Sequence, residues 1–306
     1  DIYTMRNLLI IGNGFDIDLG LKTKYSDFIE SNCFDENKNN LFKSIYRSYK
    51  NMNWIDLENE LKKYVTGVDR QNITDEFNDL RNSLCDYLTQ IEYNKINHES
   101  TAFKLFKIIA NDVNNPYKIY TYNYTDLIEI TQLSSTNISS LKCKNLIEYV
   151  HGKISDKSII LGFEDKANIL SKYFFMIKSF SPYYNSHNIQ YDLEEAKNII
   201  FFGHSLGNTD YHYFEKFFQE QSNASLTRNG MKNITIFTYN DVARISILAQ
   251  LREMNDKRTD LLYNLNKLEI LCTGEERDQT RINDFLESLK MDQEKYKAGL
   301  EYLSSL

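Results

Sequence analysis

Four short stretches of the chain hold residue types that could cradle an anion, orient a polar group and move a proton. Gly12-Asn13-Gly14-Phe15-Asp16 closes one apolar run, and Asn123 sits within Thr121-Tyr122-Asn123-Tyr124-Thr125-Asp126. His151-Gly152 closes a third, and Gly203-His204-Ser205 leads on to Asp210. Closely spaced glycines let backbone approach a ligand where a side chain would collide, and amides before a helix N-terminus favour a phosphate or pyrophosphate. A tight strand-to-helix turn asks for the same glycines, so Gly12 and Gly14 alone leave both readings open. The usual dinucleotide fingerprint wants a third glycine, and position 17 is Ile17. The pattern is extended instead by Gly20-Leu21-Lys22-Thr23-Lys24-Tyr25, a polar loop longer than a turn needs, before a helix at Ser26-Asp27-Phe28.

Asn123 stands where a strand ends, and an amide there points into the crevice at the sheet's carboxyl edge. Thr125 or Asp126 would cap the helix that follows. His151 titrates near neutral pH and suits proton transfer. A lone histidine at a strand end is as a rule structural, but two other site-like motifs at equivalent ends turn the reading towards a site. Gly203-His204-Ser205, with a helix capped near Thr209, suits a second phosphate or ribose contact. His204, Asp210 and His212 could suggest a metal, yet they form no i, i+4 histidine pair on a helix, so no metal is expected.

These residues need a scaffold that brings strand ends together. Apolar runs of strand length occur at Asn7–Ile11, Lys118–Tyr122, Leu146–Val150, Ser158–Leu161, Asn198–Phe202, Ile234–Thr238 and Leu268–Cys272. They are continuous rather than alternating, as in strands buried on both faces. Helical patterns lie between most of them, for example at Asp210–Gln221, Val242–Met254 and Gln279–Leu289. The alternation predicts a Rossmann-like α/β fold: a parallel sheet with helices on both faces, in a single domain over residues 5–306. Residues 35–114 lack a strand-like run and read as three or four helices, inserted after the first βα unit as a cap over the sheet's carboxyl edge.

Composition narrows the partners. With 306 residues, 42% of them hydrophobic, and only 2 Pro, the chain can bury a large core. A net charge of -7 argues against nucleic acid as the default partner. Cys33, Cys85, Cys143 and Cys272 are scattered without a CxxC pair, which opposes a zinc knuckle and favours reduced thiols. No signal-like start or long apolar stretch is present, so a soluble, cytoplasmic protein without membrane association is expected.

The stretch IGNGFDIDLGLKTKYSDF resembles the opening of the AbiH family, associated with abortive infection in bacterial phage defence, and that opening is similar to a sirtuin-type NAD loop. The resemblance recurs from Asn7 to Tyr239. Thr121–Thr125 resembles the T-x-N-x-[DT] turn of sirtuin-like proteins, whose Asn contacts the ribose and positions the attacking water. His151-Gly152 is similar to the catalytic His-Gly dipeptide, and Gly203–Asp210 to the G-[HYT]-S-L-x-x-x-D segment. Trp54-Ile55-Asp56-Leu57-Glu58 resembles a W-x-D-x-E element of AbiH relatives, although Trp54 and Leu57 also suit a buried face and Asp56 a first turn. The resemblance implies a sirtuin-like fold with NAD as substrate, His151 and Asn123 as catalytic residues, and hydrolysis to nicotinamide and ADP-ribose. Contacts to NAD would come from Gly12, Asn13, Gly14, Phe15, Asp16, Thr23, Tyr25, Gly203, His204, Ser205 and Asp210, the last two towards the adenosine end. A deacylase would need a four-Cys zinc module that the scattered cysteines cannot build. Two other readings stay open: an NAD or ADP-ribose sensor without turnover, and a metal-dependent phosphohydrolase using Asp16, His204 and Asp210. A phage trigger, a defence partner protein and self-association are further expected kinds of partner.

Overall fold

Leu8 and Ile10 of the first apolar run pack to one side of a sheet, and Leu9 and Ile11 to the other. That double burial is why the run carries no polar alternation. The computed structural model describes residues 7–52, 56–112, 114–134, 146–207, 210–225 and 230–304. Its strands are β1 (Asn7–Ile11), β2 (Lys118–Thr121), β3 (Ile147–Tyr149), β4 (Asn198–Phe202), β5 (Asn233–Thr238) and β6 (Lys267–Cys272). They form one parallel sheet in the order β3-β2-β1-β4-β5-β6. The fold is α/β and Rossmann-like, and its order reverses between β1 and β4, which opens a crevice at their carboxyl ends.

Helices cover both faces. On one lie α8 (Ile189–Glu195), α9 (Tyr211–Gln221), α10 (Asp241–Met254) and α11 (Thr259–Leu265), whose Leu193, Phe214, Leu251 and Leu262 pack on Leu8, Tyr120 and Phe201. On the other lie α1 (Asn13–Asp18), α6 (Thr101–Asn111), α7 (Leu127–Ser134) and α12 (Glu276–Ser304), packing Phe106, Leu127 and Ile282 against Leu9 and Phe202. Helix α12 runs well past the expected Gln279–Leu289. That apolar stripe marked only the part that touches the sheet, and Lys, Glu and Gln carry the helix onward.

A third apolar cluster sits above the sheet's carboxyl edge. It is built by α2 (Tyr25–Ile29), α3 (Asn40–Met52), α4 (Leu57–Val65) and α5 (Ile73–Leu88), with Phe28, Phe42, Leu61 and Leu80 at its centre. Helix α6, within the stretch 35–114, packs on the sheet rather than in this cluster.

Ser158–Leu161 is not a strand. Ile159 and Leu161 are buried against the cap helices, and the Ile160 amide donates to the His151 carbonyl at 2.8 Å. An apolar run buried between a cap and a sheet has the composition of a sheet strand without its pairing. The same stretch continues to Phe163, which bridges Ile177, while the Lys178 amide donates to the Phe163 carbonyl at 3.0 Å. The segment therefore folds back and delivers Lys178 to the sheet edge.

Candidate active site

Gly12 and Gly203 end adjacent strands at the point where the strand order reverses. The Gly12 amide donates to the Phe202 carbonyl and the Gly14 amide to the Gly203 carbonyl, both at 3.0 Å. A Cβ on Gly12 would lie 2.6 Å from His204 Cα, and one on Gly14 2.6 Å from Gly203 Cα. Gly203 has φ +64°, and a Cβ there would collide with the Gly14 backbone and the Phe15 nitrogen. The glycines let two loops interlock. Two amides expected to cradle a phosphate are thereby engaged with the neighbouring loop, and the GNG turn contributes shape to the crevice.

The loops floor a cavity of about 250 Å³ roofed by α2, α4 and α5. Gly12, Asn13, Asp16, Thr23, Tyr25, Asn123, His151, Gly203, His204, Ser205 and Asp210 all line it. The structure thus brings eleven of the thirteen expected site residues to one place. Phe15 is not among them: its ring is buried in the core, edge-on to Phe106 and Phe202. The first helical turn points Phe15 at the sheet and its neighbour Asp16 at the cavity. Gly14 faces a second, wider hollow over β4 and β5, which shares Gly203, His204 and Ser205 with the first.

On the β1–β2 side, Asn123 Nδ2 donates to the Gly12 carbonyl at 3.0 Å, and Thr125 Oγ1 to Asp16 Oδ2 at 2.9 Å. Asn13 and Thr23 exchange two hydrogen bonds, which ties the long polar loop to the GNG turn. Asp126 caps α7 through the Ile128 amide, as its position implied. Burial drives the Asp16 carboxyl up from 3.8 to about 7, against the lowering effect of the Thr125 hydroxyl and the nearby Asn123 amide.

On the other side stands an ionic cluster. His151 Nε2 is 3.2 Å from Asp210 Oδ1 and 3.2 Å from Lys178 Nζ, and Lys178 reaches Asp210 at 3.6 Å and Glu58 at 3.0 Å. Asp210, expected towards an adenosine end, stands beside His151 and Lys178 in the cavity wall. Burial, then the Lys178 ammonium, hold the His151 pKa below its ordinary value, so the ring is neutral at pH 7. For Asp210, burial is outweighed by Lys178, His151 and His204, and it stays ionised. Burial raises Glu58 to about 7 in spite of Lys178. His204 is held down to about 4, mainly by burial, and its Nδ1 accepts from the Leu206 amide at 3.0 Å. It shapes the loop in its neutral form. Ser205 Oγ does the same for the Gly207 amide at 3.3 Å.

Lys178 escaped sequence reasoning because it lies in no motif and reaches the cluster only through the fold of residues 163–178. Glu58 was visible in W-x-D-x-E, but Asp56 and Leu57 alone satisfied the local reading; Asp56 does cap α4 through the Asn59 amide. Trp54 and Thr209 lie outside the described residues.

The model of the AbiH family, bacteriophage abortive infection proteins, matches residues 8–229. The chain belongs to the AbiH family. No curated protein sequence matches it. The matched span runs from β1 past α9 and contains every cavity residue, so the AbiH portion of the chain is the portion that builds the site. Membership places the protein in bacteriophage abortive infection. Among the described residues of this AbiH protein, no group of three or more His, Cys, Asp and Glu is arranged to hold a metal ion. Among them also, no helix is long and apolar enough to cross a membrane.

Proposed function

We propose that this AbiH protein acts in abortive infection by hydrolysing NAD to nicotinamide and ADP-ribose. The observation that carries the reading is the convergence of Asn123, His151 and Asp210 on one capped cavity at the reversal of strand order, where Rossmann-like sheets take nucleotides. Breaking the N-glycosidic bond passes through an oxocarbenium-like ribose, and the pyridinium leaves as neutral nicotinamide without a strong general acid. Asn123, locked to the Gly12 carbonyl, is held to orient the ribose or the attacking water. Asp210 Oδ1 and Lys178 Nζ each lie 3.2 Å from His151 Nε2, and the neutral imidazole is the group that would accept the water proton. The cap supplies Phe28, Leu84 and Leu88 as apolar wall beside these polar groups.

Incubating the purified protein with NAD and following nicotinamide by chromatography tests this directly. Release that depends on Asn123 and His151 supports it. No release, with infected-cell extract added as a source of trigger or partner protein, refutes it. One observation favours a second reading: His151 Nε2 is already flanked by Asp210 and Lys178, as in a binding site without turnover. A sensor would bind NAD or ADP-ribose, and loss of His151 would change affinity and not rate.

A further inference from the structure

Asp16, Asp56, Glu58 and Asp210 line one cavity with a single lining ammonium, the exposed Lys24, and the buried ammonium of Lys178 behind the wall reaches only Glu58 and Asp210. Asp16 is 1% exposed, its Oδ1 is enclosed, and among the described residues that oxygen has no hydrogen-bond partner. The enclosed hydroxyl of Tyr122 is likewise unpaired among them. Buried polar atoms without partners are uncommon, and two on the wall of one cavity are sites where a bound molecule can complete the bonding. The remaining wall is rich in aromatic rings, those of Tyr25, Tyr87, Tyr122 and Tyr124. An enclosed carboxylate surplus lined with aromatic faces favours a flat cation.

We propose that the cavity recognises the positive charge of an N-ribosylated pyridinium, and that Asp16 and Glu58 distinguish it from the neutral dihydro form of the same nucleotide. The inference rests on the reading of the cavity as a nucleotide site and names the redox and charge state it takes. Burial holds both carboxyls near neutral pH in the ligand-free protein. Asp16 is faced by Thr125 and Asn123 from the β2 loop and by Tyr93 across it; Glu58 is faced by Lys178, Asp210, Asp56, Tyr124 and Tyr25. An arriving cation favours ionisation of both carboxyls, so protons leave as it binds, and its affinity rises as pH increases towards 8.

The test is calorimetry of the whole protein with NAD⁺ and with NADH, in buffers of different ionisation enthalpy, with nicotinamide release followed in parallel. Wild type should bind NAD⁺ roughly ten- to hundredfold more tightly than NADH, with proton release near pH 6.5 for the cation alone. Asp16→Asn and Glu58→Gln should each shrink that gap by lowering NAD⁺ affinity. Equal affinity for the two nucleotides overturns the inference even if NAD⁺ is cleaved. A strong NAD⁺ preference without cleavage upholds it and removes the hydrolase reading. Should neither dinucleotide bind, thermal stabilisation by 1-methylnicotinamide, a pyridinium cation, against neutral nicotinamide decides: preference for the cation upholds the inference, and no preference overturns it.

Discussion

Asp16 enters the folded protein with one carboxylate oxygen bonded to Thr125 and the other bonded to nothing among the described residues. Burial raises its pKa from 3.8 to about 7. Between those two values the native protein therefore holds about one proton more than the unfolded chain at this position. Stability falls as pH rises wherever the native state binds more protons. The contribution is unchanged below about pH 4, is lost progressively up to about pH 7, and stays lost above it. At about 1.4 kcal/mol per pH unit, the shift amounts to ~4 kcal/mol by pH 8. Asp16→Asn keeps the size and the acceptor for Thr125 and carries no charge. The ligand-free variant should exceed wild type by only ~1 kcal/mol at pH 4.5 and by roughly 2–4 kcal/mol at pH 8, as expected for removing a charge held for function. Urea unfolding at a series of pH values measures this, and taking the difference between the two proteins cancels every other titrating group. An Asn variant whose destabilisation grows as pH rises would show that the carboxylate is paired in the native state, and would refute the unpaired-anion reading on which the cation preference rests.

Gly203→Ala should cost at least ~3 kcal/mol in urea unfolding, because φ +64° and the Gly14 backbone both exclude a side chain. His151→Ala and Asn123→Ala should each lower nicotinamide release by about 10²–10⁴ with unchanged circular dichroism, and the double variant should not multiply the two losses. Lys178→Met removes the cation shared by Glu58 and Asp210, and should destabilise by roughly 3–5 kcal/mol at pH 8 in thermal unfolding. The Lys178→Met loss should be smaller at pH 5, where Glu58, raised to about 7, is protonated and needs no counter-ion.

The sheet was legible because both its faces are buried: β1 and β4 read as apolar runs, and each ends in a turn at the crevice. Ser158–Leu161 shows the limit of that signal, since burial between cap and sheet selects the same residues as burial within a sheet. The site was legible where its residues sit at strand ends, as with Asn123 and His151. It was not legible where two distant elements meet, as with Glu58 on α4 and Lys178 on the returning segment. The glycine loop was half legible. G-x-G announces a close approach, but only the fold shows that the Gly203 loop is the backbone that approaches it. The place of Phe15 was not legible for a related reason, because adjacency in sequence to Asp16 becomes opposite faces on the first helical turn, with the Phe15 ring in the core.

Lys178 joins the cap to the sheet edge. Its ammonium lies between Glu58 of α4 and the Asp210–His151 pair that precedes α9 and follows β3, so the cap and the site share one counter-ion. Phe28, Leu84 and Leu88 of the cap supply apolar wall to the same cavity. A displacement of α4 would strip Glu58 from Lys178 and change the charge beside His151 at the same time. The cap helix and the imidazole thus share one electrostatic field, set by the Lys178 ammonium between Glu58 and the Asp210–His151 pair.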